Sequence, residues 1–235
     1  MKYIRNVFAF LLILMLINEG EVVAMNTGFS TGTLSKNDIE TFIENVNISI
    51  LENEPQRQAI ECFDVDEEGT IAIGYSDSQN KTVCIYTNNG DFQYGYSFEC
   101  SGKFGIEIHN RVLNIYFVRS DVAIAINSKG EIESILEIKN TSDNYNYWNN
   151  HVFLTKRKIG DNEYILKNDM GIFNVFASSY SQLIITNKNG EKSIMYDVNS
   201  TQFSNMVIKF IGVLVFICLV IAIVFGQFIK QKRGI

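Results

Sequence analysis

Short runs of alternating apolar and polar residues fill most of this chain, separated by turns rich in glycine and asparagine, and they give way near each end to a longer apolar stretch. The later stretch, Phe210 to Phe228, carries no charge over nineteen positions. As a helix rising about 1.5 Å per residue it is about 28 Å long, which matches the roughly 30 Å hydrocarbon core of a bilayer. The pattern therefore predicts a transmembrane helix over 207–229 and a basic tail over 230–235, where Lys230, Lys232 and Arg233 follow at once. Near the other end, Lys2 and Arg5 precede eleven apolar residues from Val7 to Ile17, and Ala24 offers a small residue for cleavage. Basic start, short apolar core and small residue together predict a signal peptide over 1–24.

Residues 25–59 are read as a spacer, a short helix and one strand. The stretch 26–36 (NTGFSTGTLSK) is small and polar, as a flexible spacer would be. Ser35 is placed to cap a brief helix in which Ile39, Phe42, Ile43 and Val46 recur at helical spacing. Asn47 to Leu51 alternates as a strand, and Pro55, the single proline, breaks the pattern.

From Ile60 onward the period is two and the chain repeats itself. Three segments align, VCIYTNNGDFQYGYSF from Val83, VAIAINSKGEIESILEI from Val122 and LIITNKNGEKSIMYDV from Leu183. Thr87, Asn127 and Asn187 take the first turn position and Gly90, Gly130 and Gly190 the fourth, which predicts three hairpins closed by a type I turn with a left-handed glycine. A further strand pair precedes the hairpin in the first two units, around Asp66 to Gly69 and around Asn110 and Arg111. Four short strands in about forty residues is the size of a propeller blade.

The middle of the chain thus resembles β-propeller repeats in architecture, over about 60–200, with units near 60–100, 101–140 and 141–198. The resemblance implies an all-β fold of propeller-like antiparallel four-stranded modules. Three blades are fewer than the four to eight that close a ring, so open sheet edges need cover. The candidates are Asn47 to Leu51 added to the last unit, a further hairpin pair within Trp148 to Lys167, or an oligomer or partner.

Charge gives the chain a direction. Residues 25–205 carry 14 basic against 24 acidic side chains, while Lys2, Arg5, Lys230, Lys232 and Arg233 sit at the distal ends of the apolar runs. The positive-inside tendency then places the C-terminus in the cytoplasm and the bulk of the chain outside, as a single-pass protein of the cell membrane. An acidic middle argues against nucleic acid, whose phosphates are bound through Lys and Arg.

Candidate chemistry is sparse. Asp64, Asp66, Glu67 and Glu68 precede Gly69, but an EF-hand begun at Asp64 would need Glu where Tyr75 stands, so a hairpin turn is expected and no metal or cofactor is implied. Cys62, Cys84 and Cys100 are an odd number outside the apolar helix, without metal-binding spacing, and are expected as buried thiols, the alternative being one disulfide between Cys62 and Cys84. Period two predicts that Phe92, Tyr94, Tyr96 and Phe98 share one sheet face, as core. Tyr145, Tyr147 and Trp148 lie instead in an asparagine-rich loop, TSDNYNYWNNH, where packing explains rings less readily; these are the expected contact residues. Lys156, Arg157 and Lys158 form a basic cluster that is a second candidate contact. No nucleophile or phosphate-cradling motif occurs. The expected function is a non-catalytic extracytoplasmic module that binds a protein or carbohydrate. The alternatives are a carboxylate-based hydrolytic ectodomain acting on carbohydrate and a structural subunit of a membrane complex.

Overall fold

The computed structural model describes residues 25–77 and 80–232; the expected signal peptide over 1–24 and residues 233–235 of the expected tail lie outside them. The fold is mostly β, in three antiparallel sheets, with one long apolar helix at the C-terminal end. The first sheet is a meander of β3 (Ile60–Val65), β4 (Ile71–Asp77), β5 (Asn80–Tyr86) and β6 (Phe92–Glu99). The second runs through β7 (Phe104–His109), β8 (Val112–Phe117), β9 (Val122–Ile126) and β10 (Ile132–Ile138). The third comprises β11 (Lys156–Ile159), β12 (Asn162–Lys167), β13 (Gln182–Thr186) and β14 (Lys192–Asp197).

The repeated hairpin chemistry is as expected. In each of the three turns the glycine N–H donates to the residue three before it, Gly90 to Thr87, Gly130 to Asn127 and Gly190 to Asn187, at 3.0, 2.9 and 2.9 Å. Each glycine has φ between 80° and 86°, a left-handed conformation that a Cβ would penalise. The Asp66 to Gly69 turn is built the same way, and Asp66 Oδ1 accepts the N–H groups of Glu68 and Thr70 at 3.0 and 2.8 Å.

The segment ahead of the sheets departs from expectation in two places. Helix α1 (Lys36–Val46) forms as predicted, with Ser35 Oγ accepting the Asp38 N–H at 3.2 Å and Asn47 closing it at φ 46°. The presumed spacer, however, contains β1 (Thr31–Gly32), which pairs with β10, and Phe29 is buried. Strand β2 (Ser49–Leu51) pairs with β6 of the first sheet and not with the last unit. Thus two outer sheet edges are covered by N-terminal strands, whereas β14 pairs with β13 alone among the described residues.

The third unit also corrects the reading of its insertion. The hairpin within 148–167 is the sheet's own β11–β12 pair, and the added length lies in residues 139–155 and 168–181. The first of these holds α2 (Ser142–Tyr147) and a π-helical turn, Trp148–Val152; the second holds a 3-10 turn, Gly171–Phe176.

Burial explains why the first-sheet strands read as nearly continuous apolar runs. One face, with Cys62, Val83, Ile85, Tyr96 and Phe98, packs on the second sheet; the other, with Phe63, Ile73, Tyr75, Cys84 and Tyr86, packs on the third. Each fully buried large apolar side chain contributes roughly 1.5–3 kcal/mol. Phe92 does not join Tyr94, Tyr96 and Phe98 as the strict alternation predicts. A register shift beside the Gly90 turn pairs Phe92 with Tyr86 but Tyr94 with Ile85, which turns Phe92 to the third-sheet side. The same two-sided packing separates Cys62 from Cys84; both are free, buried thiols held above their ordinary pKa first by burial, whereas Cys100, expected to be buried, is free but only partly covered just after β6.

Helix α3 (Asn199–Lys232) is 34 residues long, more than the roughly 20 a bilayer needs, and its side chains from Phe210 to Val224 are exposed. It is long and apolar enough to cross a membrane.

Candidate binding cleft

The first strands of the three sheets meet at buried charge. Asp64 on β3 and Arg157 on β11 form an ion pair, Nε to Oδ1 3.0 Å, with side chains 8% and 13% exposed. The second Asp64 oxygen accepts the Ile108 N–H of β7 at 2.9 Å. Burial pushes the Asp64 carboxyl up to about 6, against the downward pull of Arg157 and of that backbone bond. One strand residue before Ile108, Glu107 is buried and its oxygens accept the hydroxyls of Tyr116 and Tyr147 at 2.5 and 2.7 Å. Burial first, and Glu107 second, keep the Tyr116 and Tyr147 phenols above their ordinary range.

Period two on β11 divides the basic cluster predicted as one contact. Arg157 points in, toward Asp64, while Lys156 and Lys158 point out and are exposed. Lys156 is paired across the hairpin with Glu163 at 2.5 Å.

The aromatic group divides as well. Tyr147 is drawn inward by Glu107, and Phe29, two residues ahead of β1, packs on Tyr147, Trp148 and Tyr116 with centroids 4.6, 4.7 and 4.9 Å away. A side chain at Gly28 would collide with the Tyr147 ring, so this close approach requires glycine. Asn144 fastens the segment: it accepts the Ser30 N–H at 2.8 Å and donates to the Ser30 and Lys139 carbonyls at 2.8 and 2.6 Å.

What remains open is a cleft of about 320 Å³ whose lining includes Tyr145, Trp148, Phe153, Asn149, Lys103 and Asp121. Phe153 stacks on Trp148 at 5.4 Å and 14°, and the Lys103 ammonium lies 3.4 Å over the Phe153 ring. The wall is therefore a continuous stack of cation, ring and ring. Tyr145 stands beside it 70% exposed. Phe153 and Lys103 also wall a neighbouring cleft of about 440 Å³ that contains Glu61, Lys81 and Tyr180. Each of these two clefts has a single carboxylate among its described lining residues, Asp121 in the first and Glu61 in the second.

Of the six predicted contact residues, Tyr145 and Trp148 come together in this cleft, Tyr147 and Arg157 are committed to internal partners, and Lys156 and Lys158 lie apart on the outer face of β11. Lys103 and Phe29 carried no signal of a shared site, since they lie far from Trp148 in sequence; Phe153 follows Trp148 by five residues in the same connection but beyond the polar loop. A solitary phenylalanine in the small polar stretch 26–36 was the one hint that the stretch is anchored. The chain matches no protein-family model, no curated protein and no solved structure.

Proposed function

We propose that this chain is a non-catalytic binding module tethered to the cell membrane by α3, with its β domain on the extracytoplasmic side and its basic tail in the cytoplasm. The three meanders act as propeller-like blades whose first strands converge on Asp64, Ile108 and Arg157. The observation that carries the binding function is the cleft in which Tyr145 stands exposed beside the stacked Trp148 and Phe153. Its class of ligand is carbohydrate. Aromatic faces offer an apolar platform for the C–H face of a sugar ring, and the amide of Asn149, the Asp121 carboxylate and the Lys103 ammonium can meet its hydroxyls.

The alternative of glycoside hydrolysis is less favoured because that chemistry needs two carboxyl groups about 5–10 Å apart across the scissile bond. Asp64, Asp66 and Glu107, the carboxylates buried among the described residues, are each engaged by protein donors.

Trp148 is the single tryptophan, so its emission reports directly on the cleft. The full chain in detergent is titrated with a panel of neutral and acidic oligosaccharides at up to millimolar concentration. A saturable emission change in the wild type that Tyr145→Ala removes without lowering the melting temperature supports the reading. An unmoved emission across the panel overturns it.

A further inference from the structure

The 3-10 turn Gly171–Phe176 presents Ile172, Val175 and Phe176 to the outside at 81%, 85% and 67% exposure. Single exposed apolar residues are ordinary, but three within one six-residue turn form a patch that asks for a partner. The fourth large apolar residue of the turn identifies that partner. Phe173 packs edge-on against Phe203 and Phe210 of α3, with centroids 5.6 and 5.9 Å away. Phe210 is the first residue of the uncharged run, so the contact sets the turn at the level where the helix enters hydrocarbon.

The turn is also tied to the helix and to its own base by amide side chains. Asn174 Oδ1 accepts the Met170 N–H at 2.9 Å, Asn199 donates to the Asp169 carbonyl at 2.8 Å, and Gln202 donates to the Ser179 carbonyl at 3.1 Å. Residues 168–181 hold no Lys or Arg and one acidic residue, Asp169, so attraction to anionic lipid has no source there.

We infer that the turn 171–176 is a second membrane contact, in which Ile172, Val175 and Phe176 enter the boundary between headgroups and acyl chains of the bilayer that α3 crosses. Helix and turn together then fix the tilt of the β domain over the lipid surface. The contact is apolar, so it is indifferent to anionic lipid and to salt. It rests on the membrane-spanning reading of α3, and the experiment separates the two.

The full chain, in a Cys100→Ser and Cys218→Ala background that keeps the buried Cys62 and Cys84, is labelled with an environment-sensitive fluorophore at Val175→Cys, Val215→Cys or Lys129→Cys and placed in phosphatidylcholine vesicles. The Val175 label is expected to be quenched by nitroxides at shallow lipid positions, the Val215 label by nitroxides deep in the acyl chains, and the Lys129 label by neither. Quenching at Val215 with a Val175 label as open to aqueous iodide as that at Lys129 overturns the inference. A Val175 label shielded from both iodide and lipid nitroxide marks a protein contact and also overturns it. If the Val215 label escapes lipid quenching, the spanning reading falls first. Ile172→Cys provides an independent site should a label at Val175 disturb the turn.

Discussion

Arg157 lies 3.0 Å from Asp64 across the junction of the third and first sheets, and the ion pair is shut away from water on both sides. Among the described residues it is the one ion pair between those two sheets, and its geometry is close without being fully satisfied: Arg157 Nε and Nη2 are buried without an aligned hydrogen-bond acceptor. A buried pair of this kind holds a particular arrangement of sheets more than it adds net stability, because desolvation offsets much of the attraction.

Breaking the pair from one side should therefore cost more than removing it whole. Arg157→Met is expected to destabilise the full chain by about 3–5 kcal/mol, as an uncompensated buried charge does, and Asp64→Leu with Arg157→Met to recover most of that loss. Urea unfolding in detergent checks it; a double variant as unstable as the single one would assign the pair a larger net stabilising role.

The same carboxyl makes a prediction about pH. Its folded value of about 6 stands above the ordinary 3.8, so folding favours the protonated form. Its contribution to stability is then fully present below 3.8 and is lost as pH rises through about 6. Relative to Asp64→Asn, which does not titrate, the wild type should lose stability between pH 4 and pH 7. The opposite slope in paired thermal melts would mean that Arg157 outweighs burial at this site.

Trp148 and Tyr145 should separate folding from binding. Trp148→Ala removes a ring packed on Phe29 and Phe153, and because the ring is only partly buried the cost is expected at about 2–3 kcal/mol, below that of a fully buried tryptophan. Tyr145→Ala removes an exposed ring and should stay within about 0.5 kcal/mol of the wild type. Differential scanning measurements on the two variants decide it.

Gly74 tests how tightly the first and second sheets meet. An added Cβ would stand 2.6 Å from Cys62 Sγ and 2.9 Å from the Phe104 ring, inside van der Waals distance of both. Gly74→Ala is expected to cost about 1–3 kcal/mol by overpacking and to make Cys62 accessible to thiol reagents under native conditions. Unchanged stability together with an unreactive Cys62 would show that the interface has slack.

Local chemistry was legible in the sequence, and its long-range consequences were not. The glycine turns, the Ser35 cap and the β character of the middle follow from contacts within a few residues, where residue type dictates conformation. The partners of β1 and β2 depend on which sheet edge lies free, and nothing in Thr31 or Ser49 encodes that. Phe92 escaped the alternation because a one-residue shift at a turn reverses the face of a strand end. The cleft was half visible: Tyr145 and Trp148 stood out as rings in a polar loop, whereas Lys103 and Asp121 join them through tertiary packing that brings two other connections alongside.

The pairing of Thr31 with Ile138 has a consequence in time. Phe29 and β1 leave the ribosome well before their berth exists, because about a hundred more residues must be synthesised to supply β10. At ordinary elongation rates of 5–20 residues per second that is roughly 5–20 s. Through that interval the first sheet, with β2 already at hand, can assemble, while β1 waits unpaired. A newborn chain is accordingly open to proteases and holding chaperones around Phe29 and β1, and becomes protected there only when β10 arrives.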